Sequence, residues 1–314
     1  MSVTNSAVED LMGPLVISVF FCILLYGIFV AQLFYYWTTY DNDIIPIKLW
    51  VFVLGLLETA HTAMCMHFIY HYFVSHYGQA EVLNEIAWSV GASIIVEVLI
   101  VGLTQSFYVY RIWSLSQKKH IVIAVLGSLV VMRVGVSMYA ATLTLRYGTW
   151  AALQSSQLFL ITANIGWVLC GLADLMTTTT LIYYLYRGRT VALVRTRNII
   201  RKLVHYSITT GAITVVTSMV VLITFNAKKH SLVFGGLLEV LTKLYANSVV
   251  AMLNARRSVG STATTKKGDT IELSPLSWAS RPQTEVDVIH VSKETMVSND
   301  TFGTLSQDQE SRSR

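Results

Sequence analysis

Six ionisable residues, Glu58, Glu97, Arg133, Asp174, Glu239 and Lys243, lie inside long apolar stretches of this sequence. In hydrocarbon surroundings each costs ~3 kcal/mol or more unless it is paired or hydrated. They must therefore face one another or a polar cavity. The four acids outnumber the two bases, so pairing among the six cannot satisfy every acid. Two kinds of chemistry fit the set: a ligand pocket or proton path, or ion pairs that hold helices together. Glu239 and Lys243 stand four residues apart, close enough on one helix face to neutralise each other.

Helical spacing extends each charge into a polar stripe. Gly55, Glu58, His61, Thr62 and Cys65 share one face, as do Ser93, Glu97, Thr104 and Tyr108. Trp167, Asp174, Thr177 and Thr178 form a third stripe, and Gly236, Glu239, Lys243, Asn247 and Asn254 a fourth. Thr210, Thr214, Thr217 and Ser218 add hydroxyls. The candidates for a polar network or pocket are thus Glu58, His61, Glu97, Arg133, Asp174, Glu239, Lys243 and Asn247.

The elements that carry these stripes are apolar and long. Of 314 residues 54% are hydrophobic and 13% charged, about half the charge of an ordinary soluble domain. That excludes a soluble enzyme or a disordered regulator. A bilayer core takes about 20 apolar residues of helix. Seven stretches qualify: 12–36, 47–74, 87–110, 120–141, 158–186, 203–226 and 231–254. The expected fold is an all-α membrane protein, a seven-transmembrane-helix bundle, with Pro14 opening the first span and Pro46 preceding the second. The domain plan is a short outer N-terminus (1–11), the helical domain (12–254) and a Ser/Thr-rich cytoplasmic tail (255–314). The tail has too few apolar residues to fold alone and carries hydroxyls suited to phosphorylation.

Basic residues orient the bundle. Alternate connections and the opening of the tail (255–267) hold fourteen Lys or Arg against three in the other set, which puts the N-terminus outside and the C-terminus in the cytoplasm. The densest cluster, Arg187, Arg189, Arg195, Arg197, Arg201 and Lys202, is a candidate contact for a cytoplasmic partner or anionic lipid. The charge excess follows topology and does not indicate nucleic acid. All three cysteines fall within spans, so none is placed for an outer disulfide.

Other motifs are weaker. Glu239-x-x-x-Lys243 has the spacing of a retinal Schiff-base helix, but the third span lacks the matching Arg and Asp arrangement. His67-x-x-x-His71 has zinc-ligand spacing, but it lies toward a membrane interface and no other helix offers a histidine pair. The third span ends Tyr108-Val109-Tyr110-Arg111, without the acid of a rhodopsin-like receptor, and the seventh ends without its proline. No catalytic residue, metal or cofactor is assigned.

Several segments resemble a large family of fungal seven-span integral membrane proteins, common in mushroom-forming fungi and defined by a domain of unknown function. They are Gly13-Pro14-Leu15, Leu57-Glu58-Thr59-Ala60-His61-Thr62, Arg111-Ile112-Trp113, Lys243-Leu244-Tyr245-Ala246-Asn247-Ser248 and Leu253-Asn254-Ala255-Arg256. The resemblance spans about residues 13–256 and implies fold and membrane location, but no activity. The family often has Asp-Arg in its first loop, where this chain has Asp43-Ile44. The expected function is receptor-like or sensory, with an unidentified small ligand. The alternative is a small-molecule or proton-coupled transporter, and a metal-dependent intramembrane hydrolase or retinal protein ranks below both.

Overall fold

In hydrocarbon a backbone must satisfy its own N–H and C=O groups, and a helix does so within one segment. The apolar stretches are accordingly helical in a computed structural model of the chain, which describes residues 2–79, 81–116, 119–191, 194–227 and 232–255. Side chains of residues 2–11, 188–207 and 210 lie outside that description, as do the tail from residue 256 onward with the phosphorylation expected there, and the contact role expected at Arg189, Arg195, Arg197, Arg201 and Lys202.

The long helices are α1 (Ser2–Thr39), α2 (Ile45–Tyr70), α3 (Trp88–Leu115), α4 (His120–Tyr147), α6 (Gln157–Val191), α7 (Val194–Ala227) and α8 (Val233–Asn254), with a short α5 (Trp150–Ser155) after α4. Among the described residues six of them are long and apolar enough to cross a membrane, and α7 contributes a shorter apolar stretch, Gly211–Ala227. Pro46 sits in the first turn of α2, where its missing N–H costs nothing. Pro14 differs from expectation. It lies inside α1 rather than at its start, and the Ser18 hydroxyl donates to the Pro14 carbonyl at 2.8 Å. Large apolar side chains such as Phe20, Phe34, Val131 and Ile223 are exposed on the outer faces, the reverse of a soluble protein and the surface that lipid would cover.

The helices pack around a ring in chain order, from α1 against α2 through α7 against α8, and α8 closes against α1. α3 also meets α6 and α8, and α2 meets α8, so α3 and α8 fill the middle. Glycine permits the closest approaches. A Cβ on Gly236 would stand 2.3 Å from Ser18 Oγ and 3.1 Å from the Pro14 carbonyl oxygen, so only glycine lets α8 lie this near α1.

At the end of the bundle where α2 stops and α3 starts, two connections are tied together. Tyr72 Oη donates to the Glu85 carbonyl (2.7 Å) and accepts from the Ala87 N–H (3.0 Å). The Ile86 N–H donates to the Gly148 carbonyl at 2.8 Å, and the Ala151 N–H to Asn84 Oδ1 at 3.1 Å. Gly148 takes a positive φ of 67°, which ends α4 and turns the chain into α5.

Candidate functional site

The α2 stripe is buried along its whole length, from Gly55 through Glu58, His61 and Thr62 to Cys65. α8 runs antiparallel beside it, so one turn up α2 corresponds to one turn back along α8. Lys243 therefore meets Glu58, and Glu239 meets His61 and Cys65. Lys243 Nζ lies 2.6 Å from Glu58 Oε2, with both side chains fully buried. The ammonium also donates to Thr62 Oγ1 (2.7 Å) and the Glu58 carbonyl (3.3 Å), so its three protons each have an acceptor. Glu239 Oε2 lies 3.0 Å from His61 Nε2 and accepts from Cys65 Sγ at 3.1 Å. Ser93 on α3 donates to Glu239 Oε1 at 3.3 Å. The expected Glu239–Lys243 pairing is thus replaced by two pairs across helices, because α2 presents an acceptor and an imidazole at the right levels.

A second network links α3, α4, α6, α7 and α8 through Asp174. Its carboxylate accepts from Gln105 Nε2 (2.5 Å), Ser218 Oγ (3.4 Å) and, in a short hydrogen bond, Tyr245 Oη. Arg133 Nη1 stands 3.8 Å from Asp174 Oδ1, too far for a hydrogen bond, while Nη2 donates to Cys170 Sγ at 3.0 Å. The guanidinium lies over the Tyr245 ring, 5.4 Å from its centroid. Asn247 joins α8 to α1 by donating to the Leu25 carbonyl (3.1 Å) and accepting from Gln32 Nε2 (3.2 Å). Tyr108 and Ser248 hydroxyls meet at 2.6 Å further along.

Glu97 differs from these. It is half-buried and belongs to none of the three ion pairs among the described residues. It lines a cavity of 130 Å³ together with Arg133 and Glu239. The remaining wall is apolar and aromatic, including Phe68, Trp150, Phe159, Trp167, Phe225 and Phe234. These residues come from the start of α6 and α8, the ends of α2 and α7, and α5, so the cavity occupies the end of the bundle with the tied connections. An engineered protein cavity of ~150 Å³ binds benzene, which sets the size of occupant. A second space of 20 Å³ lies beyond Asp174, among Gln105, Tyr108, Thr177, Thr214, Tyr245 and Ser248. That is enough for one water among polar partners.

The expected candidates therefore separate. Glu97, Arg133 and Glu239 reach the cavity, whereas Glu58, Lys243 and Asn247 are packed between helices. Thr214 and Ser218 face inward, but Thr217 is directed to its own helix, donating to the Ile213 carbonyl at 2.8 Å. Arg187 is exposed, with Nη1 3.4 Å from Tyr183 Oη. Sequence reasoning missed Gln105, Tyr245 and Ser248; an amide in the middle of an apolar helix was a readable signal for Gln105. The third span, expected to run to residue 110, continues as α3 to Leu115, and Arg111 within it is 2% exposed.

The fold and the buried network define a multi-pass helical membrane protein with a polar interior. Residues 170–258 match a family of unknown function (DUF6534). No curated protein and no solved structure matches the chain. The matched segment contains Asp174, Glu239, Lys243 and Asn247, while their partners Glu58, His61 and Arg133 lie before it.

Proposed function

We propose that this chain is a seven-span receptor-like or sensory protein whose cavity binds a small apolar molecule bearing one polar group. α7 supplies the seventh span. The basic connections favour an outer N-terminus, so in this reading the cavity opens toward the outer leaflet of a plasma membrane or endomembrane, and the basic cluster at the end of α6 and start of α7 faces the cytoplasm. The observation that carries this reading is the 130 Å³ apolar cavity with Glu97, Arg133 and Glu239 on its wall. An aromatic-lined space holds the apolar body, and the charged groups select the polar end. The test uses the full chain in nanodiscs with a panel of alcohols, acids and amines of about benzene size. Saturable binding is expected, together with a ligand-dependent fluorescence change from a dye on the α6–α7 connection. Binding without any change there would remove the sensory role.

A proton-coupled small-molecule transporter is the second reading. It is favoured by Glu97, outside the ion pairs, and by the water-sized polar space beyond Asp174. Uptake into proteoliposomes that is lost in Glu97→Gln would support it, and uptake that survives both Glu97→Gln and Glu239→Gln would remove it.

A further inference from the structure

The geometry points to a buried zinc-class metal site formed by His61, Cys65 and Glu239. His61 and Cys65 are one turn apart on the buried face of α2, and Glu239 reaches them from α8. Their ligand atoms lie within 4.8 Å of one another, and all three residues are buried. With Nε2 as the ligating nitrogen, Glu239 Oε2 is 3.0 Å from His61 Nε2 and 3.1 Å from Cys65 Sγ, while the other ring nitrogen, Nδ1, lies 3.7 Å from Cys65 Sγ and stays outside the ligand set. A tetrahedral ion with bonds of about 2.0–2.3 Å separates its ligands by about 3.3–3.7 Å, so small side-chain adjustments close the site.

Three features favour a metal over a simple ion pair. His61 Nε2 is fully buried and close to the carboxylate, yet it makes no hydrogen bond among the described residues. Such an alignment suits two lone pairs converging on one ion. The Ser93 hydroxyl, its proton shared between the Val90 carbonyl at 2.8 Å and Glu239 Oε1 at 3.3 Å, sits on Oε1 and leaves Oε2 toward the histidine and cysteine, as an outer hydrogen bond orients a ligating carboxylate. Glu239 also belongs to the cavity wall, which supplies an access path and a fourth position for water or a ligand polar group. One thiolate, one carboxylate and one imidazole suit zinc rather than magnesium or calcium. Binding displaces the Cys65 thiol proton to solvent, and the two negative ligands balance the divalent charge. Lys243, the nearby cation on α8, is already neutralised by Glu58 at 2.6 Å.

The test is made on the full chain in nanodiscs, titrated with zinc and separately with cobalt(II). Zinc is expected to bind at about one ion per chain. Cobalt is expected to give the visible bands of a four-coordinate ion and a near-ultraviolet thiolate charge-transfer band. Cys65→Ser should abolish that band, Glu239→Gln should lower zinc affinity at least tenfold, and Ser93→Ala should lower it about tenfold. A wild-type cobalt spectrum without the thiolate band, or a band that persists in Cys65→Ser, overturns the site. If Cys65→Ser does not fold, X-ray absorption of the zinc-loaded wild type decides: one sulfur scatterer supports the site, and a shell of nitrogen and oxygen alone overturns it. Metal content and cavity-ligand binding are read separately, so either proposal can fail while the other stands.

Discussion

Replacing Lys243 by Met should be among the most destabilising single changes in the protein. The side chain is similar in length and apolar, so the cost is electrostatic rather than steric. At 2.6 Å and an effective dielectric constant of about 20, the gross attraction between Lys243 and Glu58 is ~6 kcal/mol. Much of that offsets desolvation, and breaking a buried pair by removing one partner typically costs ~3–5 kcal/mol. The hydrogen bonds point the same way. Glu58 Oε1 already has no hydrogen-bond partner among the described residues, and Lys243→Met takes the ammonium from Oε2. Glu58→Gln is milder, because its amide oxygen can still accept from the ammonium, which keeps Thr62 and the Glu58 carbonyl. The double variant Lys243→Met/Glu58→Leu removes both charges and should recover most of the loss. The expected order in SDS-titration unfolding, followed by circular dichroism, is Lys243→Met near 4 kcal/mol and the double variant within about 1 kcal/mol of wild type. A cycle in which Lys243→Met and Glu58→Leu add without coupling would refute the assigned pairing.

Asp174→Asn should cost about 2–4 kcal/mol in the same unfolding assay, because it puts an amide among the donors Gln105, Ser218 and Tyr245 and removes the anion nearest Arg133. Gly236→Ala should cost about 1–3 kcal/mol, since its Cβ would collide with Ser18 and approach the Pro14 carbonyl; Gly235→Ala, with open space around its Cβ, should be far milder. Ala163→Phe fills part of the cavity and should abolish saturable binding of benzene-sized probes while the SDS midpoint stays near wild type; unchanged binding would mean the probe sits elsewhere.

The fold was largely readable because lipid imposes one answer on the backbone: a long apolar stretch becomes a helix. Helix ends were less readable. The apolar pattern of the fourth span fades near residue 141, yet α4 continues to Tyr147, since polar turns remain helical until Gly148 provides a left-handed residue. Burial of the α2 stripe followed from period alone, whereas α8 is buried on nearly every face from Leu241 to Leu253. Partnership did not follow from period. Local spacing paired Glu239 with Lys243, but the antiparallel register of α2 and α8, set by packing along the whole interface, gives each of them a different partner. Tyr245 escaped notice because a tyrosine in an apolar stretch resembles an interfacial aromatic; its role depends on Asp174, on a helix some seventy residues away.

Pocket and interhelical glue first stood as rivals for one set of charges, but the structure divides the set. Lys243 and Glu58 make a short contact away from the cavity wall in which each ammonium proton has an acceptor, the behaviour expected of a pair that fixes helix register. The charges on the wall are held differently. Arg133 Nη1 stops 3.8 Å from its carboxylate and has no hydrogen-bond partner among the described residues, and Glu97 has no ion-pair partner among them. A buried guanidinium nitrogen left without a partner is costly, and it persists where something else completes it. α8 connects the two groups: Glu239 and Lys243 turn toward α2, while Tyr245 and Ser248 turn toward Asp174 and Tyr108. In the proposed ligand-binding reading, an occupant that completes Arg133 competes with Asp174 for it, and Asp174 is hydrogen-bonded to Tyr245 on α8, the helix that closes the ring against α1.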